Sequence, residues 1–231
     1  MQNFKFSALL GVILFLGACT DAPESDKAET TDAVNVDQTV AGAAYTVNTN
    51  ESKIEWIGTK VSGYHEGEIK LKDGQLMVSE NNLVGGNFVI DMPTIAVTGP
   101  EDVDEESNQK LLGLLKSADF FEVEKHPEAT FEITSVTPFT GTVQDSADAR
   151  QASISEYKVT DPTHTISGNL TIKGITKNVT FPAKVSVTDN SVDALAKFNV
   201  DRTQWNVVYP GKTDDLIRND IHFGIKVKAT K

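Results

Sequence analysis

The side chains able to do chemistry are few in this chain, and their spacing excludes more than it suggests. The four histidines, His65, His126, His164 and His222, stand far apart, and no two share the spacing of a metal site on one helix or hairpin. There is no Gly-x-Ser-x-Gly elbow and no glycine-rich loop to cradle a phosphate. No catalytic residue, metal or cofactor is therefore expected. Cys19 is the one thiol, so it has no disulfide partner in the chain. Arg202, Lys60, His65 and Tyr209 could each meet a polar group of a ligand. What they would do depends on the elements that position them.

Cys19 closes an N-terminal segment with the three parts of an export signal. Lys5 supplies the basic start, Ala8 to Leu16 form an apolar run too short to span a bilayer, and Gly17 and Ala18 are small residues before a cut. Leu16-Gly17-Ala18-Cys19 resembles a bacterial lipobox. That resemblance implies that residues 1–18 are a signal peptide and that the Cys19 thiol takes a diacylglyceryl group. The freed amine is usually acylated too. The protein would then be exported and lipid-anchored to a bacterial membrane, facing the periplasm or the cell exterior. Two or three acyl chains anchor stably where one does not.

The formal net charge of −12 leaves no excess of Lys and Arg to neutralise phosphates, which argues against a nucleic-acid partner and against electrostatic docking on anionic lipid. Residues 19–43 read as the lipidated cysteine and a flexible acidic linker. Asp21, Glu24, Asp26, Glu29, Asp32 and Asp37 oppose the single Lys27, and no aromatic residue occurs. Such a segment buries too little apolar surface to offset its ordering entropy. As a coil it would hold the domain on the order of 25–30 Å from the membrane.

Residues 44–231 form one domain in which the pattern changes to period two. Val179, Phe181, Ala183, Val185 and Val187 alternate with polar residues and Pro182; Ile221, Phe223, Ile225, Val227 and Ala229 repeat the pattern. Gly168, Leu170 and Ile172, then Ala196, Phe198 and Val200, give two more strands with one buried face. Turns are expected at Lys72-Asp73-Gly74, Glu80-Asn81-Asn82, Lys173-Gly174 and Thr188-Asp189-Asn190. Pro182 suggests an edge or a bulge. Asp104-Glu105-Glu106 ahead of Leu111, Leu112, Leu114, Leu115 and Lys116 suits the dipole of a short helix. The polar stretch from Thr140 to Ser155 reads as a flexible insertion. About eight mostly antiparallel strands and one short helix give an all-β barrel or sandwich, and alternation alone does not choose.

Four stretches in order resemble the YceI-like family of lipocalin-like lipid-binding proteins. They are Trp56 to Lys60 with Gly63-Tyr64-His65-Glu66-Gly67; Leu114 to Phe121 leading to His126-Pro127-Glu128-Ala129-Thr130-Phe131; Gly168 to Lys177 with Val179 and Phe181-Pro182; and Phe198 to Trp205. The match covers roughly Tyr45 to Lys231. His126 departs from the Tyr often found before that proline, and the insertion is longer than the family pattern. The resemblance implies an eight-stranded antiparallel barrel with an apolar lumen. It also implies a long isoprenoid or other amphiphilic ligand, tail inside and polar head near one end.

On that frame Trp56, Phe88, Phe131, Phe181, Phe198 and Phe223 are candidates to line the lumen, and Phe120 and Phe121 to cap it. Arg202, if it faces the interior, needs a carboxylate or an anionic head group. Lys60, His65 and Tyr209 are weaker candidates of that kind. The leading expectation is a membrane-anchored, non-enzymatic binding protein that sequesters an isoprenoid lipid or quinone. Its rivals are an interaction module using the acidic run Glu101, Asp102, Asp104, Glu105 and Glu106, and a lipid-modifying enzyme with polar residues facing the lumen.

Overall fold

A computed structural model describes residues 21–36, 41–141 and 156–231. In chain order the elements are β1 (Glu29–Asp32), β2 (Ala43–Val47), β3 (Lys53–Lys60), β4 (Gly63–Ser79), β5 (Asn82–Gly99) and α1 (Glu105–Lys116). There follow β6 (Glu128–Pro138), β7 (His164–Ile172), β8 (Ile175–Val187), β9 (Ser191–Asp201), a 3₁₀ turn at Arg202–Trp205, β10 (Gly211–Lys212) and β11 (Asp215–Thr230). Strands β3 to β9 and β11 each pair antiparallel with the next, and β11 returns to β3, closing an eight-stranded barrel. Strand β2 prolongs the seam between β4 and β11 beyond the end of β3. The pairing is an up-and-down meander, so short hairpins suffice. Two of them use positive φ, at Glu80 and Asn81 (51° and 61°) and at Lys173 and Gly174 (51° and 74°), which matches the right-handed twist of the strands they join.

Alternation puts the apolar face of each strand inward. Val179 and Ala183 on β8 and Ala229 on β11 are fully buried. Helix α1 lies between β5 and β6. Asp104 caps it by accepting from the backbone N–H of Ser107 at 2.8 Å, and Lys116 donates to the carbonyl of Pro93 on β5 at 2.8 Å. The acidic run thus spans the turn before this helix, its cap and its first turn.

The structure departs from the sequence reading in several places. Lys72-Asp73-Gly74 is not a turn. Strand β4 runs through it, paired with β5, and a register shift between Leu71 and Asp73 absorbs the irregularity. The acidic segment before the domain is not wholly a free coil. Glu29–Asp32 pairs with Lys177–Thr180 of β8, the backbone N–H of Ala28 donates to Asn199 at 2.9 Å, and Ala28 is buried. An open stretch of β8 edge supplies the hydrogen bonds that the segment's composition could not. Pro182 sits where β8 changes outer neighbour, between the part paired with β1 (up to Thr180) and the part paired with β9 (from Ala183). Its missing N–H therefore breaks no ladder. The signal, Cys19 and most of the expected insertion lie outside the described residues.

Candidate functional site

The barrel encloses a cavity of about 370 Å³, on a scale where one water molecule needs roughly 10–15 Å³. It reaches from Leu76 and Leu83 near the β4–β5 hairpin to Lys60 and Asp215 at the opposite end, where Leu111, Leu114 and Leu115 of α1 lie over it. Nearly all of its wall is apolar.

An aromatic belt crosses the lumen. Phe88, Phe131, Phe181, Phe198 and Phe223 follow one another at centroid separations of 6.2, 5.9, 4.0 and 6.3 Å, with Phe181 and Phe198 stacked at 12°. They come from β5, β6, β8, β9 and β11, so β7 contributes none. Gly168 of β7 is the reason. A Cβ there would stand 2.2 Å from the Phe131 ring, so only glycine lets Phe131 lie across to Phe181.

The end beneath α1 carries the polar groups. Trp56 and His65 lie on the same face of adjacent strands: Trp56 pairs with Gly67 and Gly58 with His65, which makes the two side chains diagonal neighbours. A Cβ on Gly67 would come within 2.7 Å of the indole, so this glycine makes room for Trp56. The indole Nε1 of Trp56, the Nδ1 of His65 and the hydroxyl of the neighbouring Thr59 are buried and have no hydrogen-bond partner within the protein. Burial, seconded by the nearby Lys60 charge, holds the His65 imidazole below its ordinary pKa, so the ring is neutral at physiological pH. Unpartnered buried groups are costly, at about 1–3 kcal/mol each, and are rarely kept without use.

The cations at this end are largely committed. The ammonium group of Lys60 lies 2.6 Å from the Asp215 carboxylate, whose pKa is held down to about 2, first by that contact and then by donors from Ser62. Arg202 is buried, and its guanidinium donates to the carbonyls of Arg218 (3.1 Å), Val207 and Ile217 (3.4 Å) and lies over the Phe120 ring at 5.6 Å. It needs neither a carboxylate nor an anionic head group, because backbone carbonyls satisfy it. The geometry makes it a brace between the 3₁₀ turn and β11 at the border of the cavity. Lys212 lines the same end and is exposed.

Every side chain nominated from the sequence, Trp56, Lys60, His65, Phe88, Phe120, Phe121, Phe131, Phe181, Phe198, Arg202, Tyr209 and Phe223, borders this one cavity. Phe120 and Phe121 pack edge to face at 5.4 Å, beside Tyr209. Sequence reasoning missed Asp215 and Thr59. Asp215 lies 155 residues from Lys60, and no local pattern announces the pairing. Among the described residues no three His, Cys, Asp or Glu converge as a metal site would require.

The sequence model of the YceI-like domain matches residues 45–229, the whole of the barrel. The chain belongs to the YceI-like family. No curated protein matches it. Among solved structures, this YceI-like chain is similar to BcnA of Burkholderia cenocepacia, with a TM-score of 0.58 and 18% identity over 80% of this chain and 99% of that one. It is also similar to a polyisoprenoid binding domain from Saccharophagus degradans implicated in plant cell wall breakdown, with a TM-score of 0.54 and 11% identity over 80% and 97% of the two chains. At these identities the likeness is one of fold. The YceI-like barrel itself offers a water-excluding apolar tunnel with uncharged hydrogen-bonding groups at one end.

Proposed function

We propose that this YceI-like protein is a membrane-anchored carrier that sequesters the apolar chain of an isoprenoid or similar amphiphilic lipid in its lumen. The enclosed apolar cavity of about 370 Å³ carries this reading. Each methylene moved from water into such a space contributes about 0.8 kcal/mol, so a long chain needs few polar contacts for affinity. The head group lies at the α1 end, against Trp56 Nε1 and His65 Nδ1, which lack partners within the protein. The polyisoprenoid binding domain with the same fold supports this choice of ligand class. Leu16-Gly17-Ala18-Cys19 supports the anchor: residues 1–18 leave as a signal, and acylated Cys19 holds the exported protein at a bacterial membrane.

The test is native mass spectrometry of the protein taken from membranes, followed by solvent extraction and identification of whatever it holds. A stoichiometric isoprenoid or fatty amphiphile is the expected result. A mass without ligand that stays so after incubation with quinones and polyprenyl lipids overturns the carrier reading.

A further inference from the structure

Among the described residues five large apolar side chains are exposed: Val34, Val61, Tyr64, Val208 and Leu216. Single exposed apolar residues are ordinary, but a cluster marks a contact surface. Four of these five gather at the polar end of the barrel. The backbone N–H of Val61 donates to the carbonyl of Leu216 at 3.2 Å, and Leu216 pairs with Gly211, which borders the lumen. Tyr64 pairs with Thr59, and Val208 stands between Val207 and Tyr209, all three of which border the lumen. The turns at the other end, Glu80-Asn81 and Asp189-Asn190, carry no such side chain.

We propose that this rim docks the barrel on a lipid bilayer with its α1-covered end against the membrane, so that a lipid chain reaches the lumen without crossing bulk water. The proposal rests on the anchored-carrier reading for the presence of a membrane beside Cys19. The orientation comes from the segment ahead of the barrel. It is laid along the outer wall: Lys27 pairs with Asp220 at 2.9 Å, and the backbone N–H of Asn199 donates to Asp26 at 2.8 Å. Its first described residue, Asp21, lies 3.1 Å from Nε of Arg218, two residues along β11 from Leu216. Only Thr20 separates Asp21 from Cys19. At no more than about 3.8 Å per residue, the acylated cysteine is within about 8 Å of Asp21. The free tether expected from composition would have let the barrel tumble far from the bilayer; the docked segment holds the α1-covered end beside the anchor. The Lys60–Asp215 pair is closed, and the exposed acids ahead of α1, Glu101, Asp102 and Asp104, oppose anionic lipid, so the contact is made by the apolar side chains.

Single cysteines introduced into the full acylated chain test this, because its only native thiol is taken by lipid. Val208→Cys and Leu216→Cys, with Asn81→Cys and Asp189→Cys at the far end, would carry an environment-sensitive fluorophore and be reconstituted on phosphatidylcholine–phosphatidylethanolamine vesicles. The chain without an added cysteine is treated in parallel. Blue-shifted emission at 208 and 216, quenched by spin-labelled lipid and absent at 81 and 189, is the expected result. Water-like emission at the rim, or equal shifts at both ends, overturns the proposal. Combining Val61→Asp with Leu216→Asp, at positions exposed enough to leave the fold alone, should abolish the shift at 208; persistence of the shift also overturns it. These readings need no ligand in the lumen, so an empty barrel with shifted rim labels defeats the carrier reading and leaves the docking surface standing. Should Cys19 prove unacylated, the anchor reading fails on its own, and rim labels that still shift above the parallel control support the surface.

Discussion

His222 links acidity to the grip of the N-terminal segment on the barrel. It points outward from β11, between the lumen-lining Ile221 and Phe223, yet is only 3% exposed, and the Tyr157 ring meets it edge to face at 5.4 Å. Its Nδ1 lies 2.8 Å from the side-chain oxygen of Asn199, whose amide nitrogen donates to Pro23 at 2.9 Å. Burial, then the nearby Lys197, push its pKa down to about 4 from 6.5, against a smaller pull from Glu55. The folded state thus holds a neutral imidazole that the unfolded chain protonates near pH 6.5. Stability is fully present above that pH and is lost as pH falls through the folded pKa. A difference of 2.5 units (6.5 − 4) at about 1.36 kcal/mol each gives roughly 3 kcal/mol lost by pH 4. Urea unfolding of the wild type and of His222→Gln from pH 7.5 to 4 isolates this contribution, because His65 and the carboxylates titrate in both. The wild type should lose about 3 kcal/mol more than the variant across that range. Over the same interval the amides of Ala28 and Asn199, which tie the segment down, should exchange faster. Parallel stability curves for the two proteins would refute the reasoning.

His65→Leu removes an unpartnered buried nitrogen. It should stabilise the empty barrel by about 1 kcal/mol, a Tm rise of roughly 2–4 °C by calorimetry, while weakening lipid binding about 2- to 10-fold in a ligand titration. Ala196→Trp places an indole in the lumen. Displacing about four methylenes of ligand at about 0.8 kcal/mol each should weaken binding roughly 100-fold without loss of the β-rich circular dichroism. Gly67→Ala sets a methyl 1.9 Å from the carbonyl of Ala96 and 2.7 Å from the Trp56 indole, and should cost at least about 2 kcal/mol in urea unfolding.

Much of the fold was legible because a barrel wall imposes period two on the residues that build it. The runs at Val179–Val187 and Ile221–Ala229, the hairpins at Glu80-Asn81 and Lys173-Gly174, and the capped helix after Asp104 are local consequences of local sequence. The aromatic candidates were legible for the same reason, since an inward position on a strand is a lumen position once the sheet closes. Closure was legible only through the family resemblance and not from alternation, because pairing β11 with β3 joins residues such as Phe223 and Trp56 across most of the chain. Tertiary structure alone decided three further things. Arg202 is spent on carbonyls supplied by later residues. Lys60 is neutralised by Asp215, 155 positions away. The acidic leader, whose composition predicts a coil, is ordered by a free β8 edge and by Asn199 and Asp220, partners more than 140 residues downstream of it. Periodicity reports which face of an element is buried; only the folded chain determines which distant partner meets each polar group on that face.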